Sequence, residues 1–212
     1  MFSKIIFITI LSINFVYANS LSDRVSKARS YCFDQNINYY NKASFNPPHS
    51  SDFDLYRTST TQKLLTPVYV GIFDRFGGVL QTMISGGDTY GVNYNLSALG
   101  TAARRYAYSK RLNKLGKTCL ASCITNHLLE ADADIFPTTS MPLAISKGRG
   151  FCRHFALTTF EILKIMGENV QTEVSFIHMF LKLNYGGEKL YFDPSAETGA
   201  YRCNFIKAKD IK

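Results

Sequence analysis

The stretch that decides the reading runs from Lys147 to Ala196: KGRGFCRHFALTTFEILKIMGENVQTEVSFIHMFLKLNYGGEKLYFDPSA. Gly148 and Gly150 open a tight turn. From about Cys152 to Met166 the apolar positions recur at helical spacing, with Cys152, Phe155, Ala156, Thr159, Phe160, Leu163 and Met166 forming one stripe. Gly167 follows at the place where a left-handed residue ends a helix. The pattern therefore predicts a helix with Cys152 in its first turn, on the side that faces the core.

Two strands are expected after it. Thr172 to Leu183 alternates Val174, Phe176, His178 and Phe180 against Ser175, Ile177, Met179 and Leu181. Lys189 to Asp193 alternates Tyr191 and Asp193 against Leu190 and Phe192. Asn184-Tyr185-Gly186-Gly187-Glu188 supplies the hairpin turn between them. With Gly186-Gly187 as a two-residue loop, Asp193 lies opposite Phe180, and His178 is its diagonal neighbour. Such neighbours are about 7–8 Å apart, within reach of a His and an Asp side chain. A three-residue loop would send Asp193 to the other face.

This arithmetic puts a thiol, an imidazole and a carboxylate at one locus. A helix N-terminus stabilises negative charge, and the thiolate is the reactive form of cysteine. Arg149 and Arg153 add to the effect if they point at the sulfur. In such a set the His takes the Cys proton, and the Asp holds the imidazole tautomer and its charged form. Taken singly, each residue has a plainer reading: a core cysteine, a hydrogen-bonded core histidine, a turn-forming Asp before Pro. Their order and the elements that carry them favour the catalytic reading.

The motifs Gly150-Phe151-Cys152-Arg153-His154-Phe155-Ala156, Leu163-Lys164-Ile165-Met166-Gly167, His178 and Leu190-Tyr191-Phe192-Asp193-Pro194-Ser195 resemble the core of the transglutaminase-like superfamily. The resemblance implies an α+β, papain-like fold in which the Cys helix packs on an antiparallel sheet. It implies Cys152 as nucleophile, His178 as base and Asp193 as orienting acid. Two positions depart from the family pattern. Met179 and Phe180 follow the His where a Trp is common, and His154 stands where an acidic residue is common, two positions after the Cys. We expect His154 on the helix surface. The backbone N–H of Cys152 is a candidate oxyanion donor. A side-chain donor, Gln62 or Gln81, cannot be chosen from the sequence.

Outward from this core, residues 19–146 carry no family signal. Residues 19–32 read as a helix, 34–65 as polar and irregular, and Leu65 to Leu80 as a strand or buried wall. Residues 97–131 read mainly as helix with a break at Gly116. Arg104, Arg105, Lys110, Arg111, Lys114 and Lys117 make that stretch basic, which ordinarily marks a solvated helix face. At the start, Lys4 precedes an apolar run from Ile5 to Val16, and Val16-Tyr17-Ala18 fits a signal peptidase site. The expected organisation is a signal peptide over 1–18 and one domain over 19–212, secreted or periplasmic. The apolar run is too short to span a bilayer as a helix, so no stable membrane insertion is expected after cleavage.

The chain has five cysteines. In an oxidising space an odd count leaves one thiol out. Cys119 and Cys123 could meet each other only marginally, and bridges to Cys32 and Cys203 are equally open. No CxxC spacing occurs, and the four histidines form no zinc pattern. Glu130, Asp132 and Asp134 cluster without a calcium-loop pattern, so no cofactor is expected; calcium, which the resemblance implies for some members, stays open without a motif to support it.

With 212 residues, 46% hydrophobic and 19% charged, the chain can bury a core and is not of disordered composition. The net charge of +8 comes without nucleic-acid-module features, so no nucleic-acid partner is expected. The expected partner is a protein or peptide substrate. The expected function is an exported cysteine enzyme working through a thioester, with hydrolysis favoured over acyl transfer by resemblance to small exported bacterial members. The alternative is an inactive transglutaminase-like module that binds protein or cell-wall peptide.

Overall fold

The computed structural model describes residues 21–35, 40, 44–45, 89–132, 139–175, 178–195 and 203–211. The expected signal peptide, the apolar stretch Leu65 to Leu80, Gln62, Gln81 and Asp134 lie outside them.

The described elements are mixed α+β. In chain order they are α1 (residues 21–32), β1 (Ser44–Phe45), α2 (Thr89–Ser109), α3 (Lys114–Leu128), β2 (Glu130–Ala131), α4 (Met141–Lys147), β3 (Arg149–Gly150), α5 (Cys152–Ile165), β4 (Gln171–Val174), β5 (Met179–Tyr185), β6 (Glu188–Phe192) and β7 (Asn204–Lys207). A five-stranded sheet has the order β1-β7-β6-β5-β4, antiparallel except for the β1–β7 pair. A short parallel pair, β2 with β3, ties the end of α3 to the residues before Cys152.

The helix α5 forms where its stripe predicts, and Gly167 (φ 85°) follows its cap Met166. It packs against α3, α2 and β5. Phe155, Ala156, Thr159, Leu163 and Met166 are buried, while Cys152 and Phe160 are half-buried. The sheet contributes Leu181, Leu183, Leu190, Phe192 and Phe205 to the same core. Each such side chain, fully buried, contributes roughly 1.5–3 kcal/mol.

The β5–β6 register pairs Leu181 with Phe192 and Lys182 with Tyr191, as the two-residue loop requires. Gly186 (φ 60°) and Gly187 (φ 80°) make that loop. Both sit in the left-handed region that an inward-twisting two-residue turn demands and that only glycine enters freely.

Two expectations about the elements are corrected. The single strand over 172–183 is two antiparallel strands, β4 and β5, with Val174 opposite Met179, so the chain reverses between them. Ser175 ties that reversal. Its N–H donates to the His178 carbonyl (2.8 Å), and its hydroxyl accepts from the His178 N–H (3.1 Å). The residue pattern reads on through the segment, and β5 then buries Met179, Phe180 and Leu181 in succession. Alternation then gives no sign of the reversal.

The helical stretch also breaks elsewhere than at Gly116. The chain leaves α2 through Arg111 (φ 53°), and Asn113 caps α3 by accepting from the Gly116 N–H (2.8 Å). A side-chain cap of this kind outweighs the weak helix propensity of a single glycine. Moreover, α2 starts at Thr89, eight residues earlier than the expected start at 97. Val92, Leu96, Leu99, Ala103 and Ala107 form its buried stripe.

Cys32 pairs with Cys123 and Cys119 with Cys203, at Cα separations of 6.0 and 5.4 Å. Both lie within the range a disulfide spans. The i,i+4 pairing is not used; α3 is instead joined to α1 and to the start of β7. Among the described residues no helix is long and apolar enough to cross a membrane.

Candidate active site

Cys152 is the one free cysteine of the five. It is the first residue of α5, and the chain enters the helix through extended Phe151 (φ −118°). The first turn of a helix leaves backbone N–H groups without intrahelical acceptors.

His178 stands one residue before β5, and Asp193 one residue beyond β6. The two meet: His178 Nε2 lies 2.5 Å from Asp193 Oδ2. The other carboxylate oxygen, Oδ1, accepts from the Ser195 N–H (2.9 Å) and hydroxyl (2.7 Å). Asp193 is thereby held from both sides, with one oxygen aimed at the imidazole. With Nε2 engaged, Nδ1 is the ring nitrogen left for the Cys152 sulfur, to which His178 is also hydrogen-bonded.

The electrostatics follow from these contacts. Burial pushes the Cys152 thiol up. The nearby Asp193 charge pushes it the same way. The His178 hydrogen bond and charge, together with the Met179 backbone N–H, outweigh both and bring the thiol below its ordinary value. Burial likewise works against a charged His178, yet its bonds to Asp193 and Cys152 and their negative charge raise its pKa to about 10. The arrangement favours a thiolate beside an imidazolium.

The expected help from arginines is not found. Arg149 pairs with Asp132 (3.4 Å) and is largely exposed. Arg153 is buried, donates to the Thr139 carbonyl and lies over the Phe151 ring, 5.4 Å from its centroid.

His154 is corrected from a surface residue to a fully buried one. Its Nδ1 accepts from the Phe151 N–H (3.2 Å), and its Nε2 lies 2.7 Å from the Thr139 carbonyl. These partners require a neutral ring with the proton on Nε2. His154 occupies the third helical position, where a Glu or Gln ordinarily reaches back to the cap N–H. A histidine can take that role, and here it does so from a buried position. Burial, more than the Arg153 charge, holds its pKa at about 4. Gly150 belongs to the same packing: a Cβ there would come within 2.9 Å of the His154 Cβ.

Sequence reasoning missed Asn126, on α3. Its Nδ2 donates to the Pro194 carbonyl (3.1 Å) and the Ser122 carbonyl (2.9 Å). The candidate metal cluster at Glu130, Asp132 and Asp134 is described only in part, and Asp132 is taken up by Arg149. Among the described residues the three-ligand group is Cys32, Cys123 and His127, whose two sulfurs are engaged with each other.

Comparison with models of known families, with curated proteins and with solved structures finds no match.

Proposed function

We propose that this chain is an exported cysteine enzyme of the transglutaminase-like, papain-like kind that acts on protein or peptide amide bonds, hydrolysing them in preference to transferring the acyl group. The observation that carries the reading is the hydrogen-bonded series Cys152–His178–Asp193, with the sulfur at a helix N-terminus and its pKa lowered. The two cysteine pairs at disulfide distance agree with an oxidising location.

In this reading the Cys152 thiolate attacks the amide carbonyl carbon, and the carbonyl π electrons move to oxygen. In this reading the Cys152 backbone N–H, at the positive end of α5, donates to that oxyanion. Collapse expels the amine, which takes its proton from His178 and leaves a thioester. Water then attacks with His178 as base, the acid departs, and the thiolate returns. Asp193 remains ionised throughout and holds the imidazole.

The test is alkylation of Cys152 by iodoacetamide across pH, mapped by mass, followed by a screen of peptide amides with Cys152→Ala as control. Fast alkylation at pH 6, about 100-fold slower in His178→Ala, is the expected result. Turnover should rise as Cys152 ionises and fall as the imidazolium loses its proton near pH 10. A wild-type thiol that reacts only as an ordinary one does, indifferent to His178, rejects the enzyme reading and leaves the binding module.

A further inference from the structure

The helix α3 reaches both halves of the site with adjacent residues. Thr125 and Thr159 are fully buried, and the Thr159 hydroxyl donates to the Thr125 hydroxyl (2.9 Å). Thr159 is on α5, seven residues after Cys152, or about 10 Å along the helix. Asn126 reaches the other half. Its amide carries two hydrogens; Nδ2 donates within α3 to Ser122, at the carbonyl and the hydroxyl (3.3 Å), and across the fold to the Pro194 carbonyl. Asparagine is a poor residue for a helix interior, so its tertiary bond is the contribution it makes there.

The Pro194 carbonyl is a telling place to hold. Proline has no N–H, so this carbonyl is the only backbone hydrogen-bonding group of the residue. It lies between Asp193 and Ser195, the residue that orients the Asp193 carboxylate. A tether at Pro194 fixes the turn as a unit. The helix providing the tether is itself bound through Cys119 and Cys123 to β7 and α1.

We propose that Asn126 is a positioning residue for Asp193: it sets the carboxylate against His178 from a helix that also sets the register of the Cys152 helix. The proposal rests on reading Cys152, His178 and Asp193 as one reactive series. Asn126 touches none of the reacting atoms and acts through the Asp193–Pro194–Ser195 turn.

The test uses the full oxidised protein and the pH profile of Cys152 alkylation by iodoacetamide. Asn126→Leu keeps the side chain's size and removes both donors; Asn126→Gln keeps the donors on a longer arm; Asn126→Ala is the second donor-free variant should leucine not fold. The donor-free variant should shift the alkylation profile to higher pH and slow the reaction at pH 6 about fivefold, on the scale of one hydrogen bond. The glutamine variant should recover part of the loss. In an Asp193→Asn background the donor-free change should have little further effect, because the two act through one contact. A profile unchanged by the loss of donors overturns the proposal, as does an equal loss in the Asp193→Asn background. A wild-type Cys152 that is indifferent to His178→Ala rejects the underlying series instead, and that outcome is read before any Asn126 variant is made.

Discussion

Two histidines serve the α5 N-terminus, His178 partly buried and His154 fully buried, and their states are opposite. His178, just before β5, is raised to about 10. His154, in the first turn of α5, is lowered to about 4. Burial favours the neutral ring in both. The difference lies in the partners. His178 faces the Asp193 carboxylate and the Cys152 sulfur, whereas His154 faces the Phe151 N–H, the Thr139 carbonyl and the Arg153 guanidinium. An anion within hydrogen-bond reach overrides desolvation, and neutral dipoles beside a cation do not. One imidazole is thus prepared to carry a proton, and the other fixes the helix that carries the sulfur.

The largest test removes the low side of this comparison. A His whose folded pKa is depressed binds its proton more readily in the unfolded chain, so stability is lost as pH falls from 6.5 toward 4. For His154 the interval corresponds to on the order of 3 kcal/mol. His154→Gln keeps an acceptor for Phe151 N–H and a donor for the Thr139 carbonyl but does not titrate. Thermal melts at pH 7.5 and 4.5 should show a smaller acid loss in the variant than in the wild type. Parallel losses would show that His154 is not the acid-sensitive group.

The next test moves the high side toward the low one. Asp193→Asn takes the negative charge from His178, so its pKa should fall; the loss of imidazolium charge beside the sulfur should outweigh the relief from the Asp193 charge, so that of Cys152 should rise. Alkylation at pH 6 should slow about tenfold, the equivalent of one pKa unit. An unchanged rate would mean that Asp193 does not govern the charge on His178.

The smallest test asks whether the backing helix supports both histidines equally. Thr159→Val removes the bond from α5 to Thr125, which retains its own bond to the Ala121 carbonyl (3.0 Å). Loss of about 1 kcal/mol in denaturant unfolding is expected, with little change in the alkylation profile. A large shift of that profile would assign to Thr159 the coupling here given to Asn126.

Much of the local structure was legible in the chain. The α5 stripe, the Gly167 end and the Gly186-Gly187 hairpin are all short-range consequences of periodicity and backbone freedom. The β5–β6 register followed from the loop length alone, and with it the approach of Asp193 to His178. What misled was also local. The reversal between β4 and β5 hid inside a segment whose alternation reads on without a Gly or Pro to mark it, and Gly116 drew attention from the true cap at Asn113. His154 was taken for a surface residue, because a polar type after a helix start usually faces water.

The sequence by itself determined which residues form α5, where it ends, and how β5 pairs with β6, since each of these depends on neighbours a few positions apart. Only the tertiary structure decided the partners of Cys119 and Cys123, the burial of His154 against Thr139, and the tether from Asn126 to Pro194. These contacts join residues distant along the chain, and no periodicity within one element encodes which distant atom will complete a disulfide or accept a hydrogen bond. The charge on each histidine belongs to this second group: both rings are at least partly withdrawn from water, and only the assembled fold places a carboxylate beside one and a guanidinium beside the other.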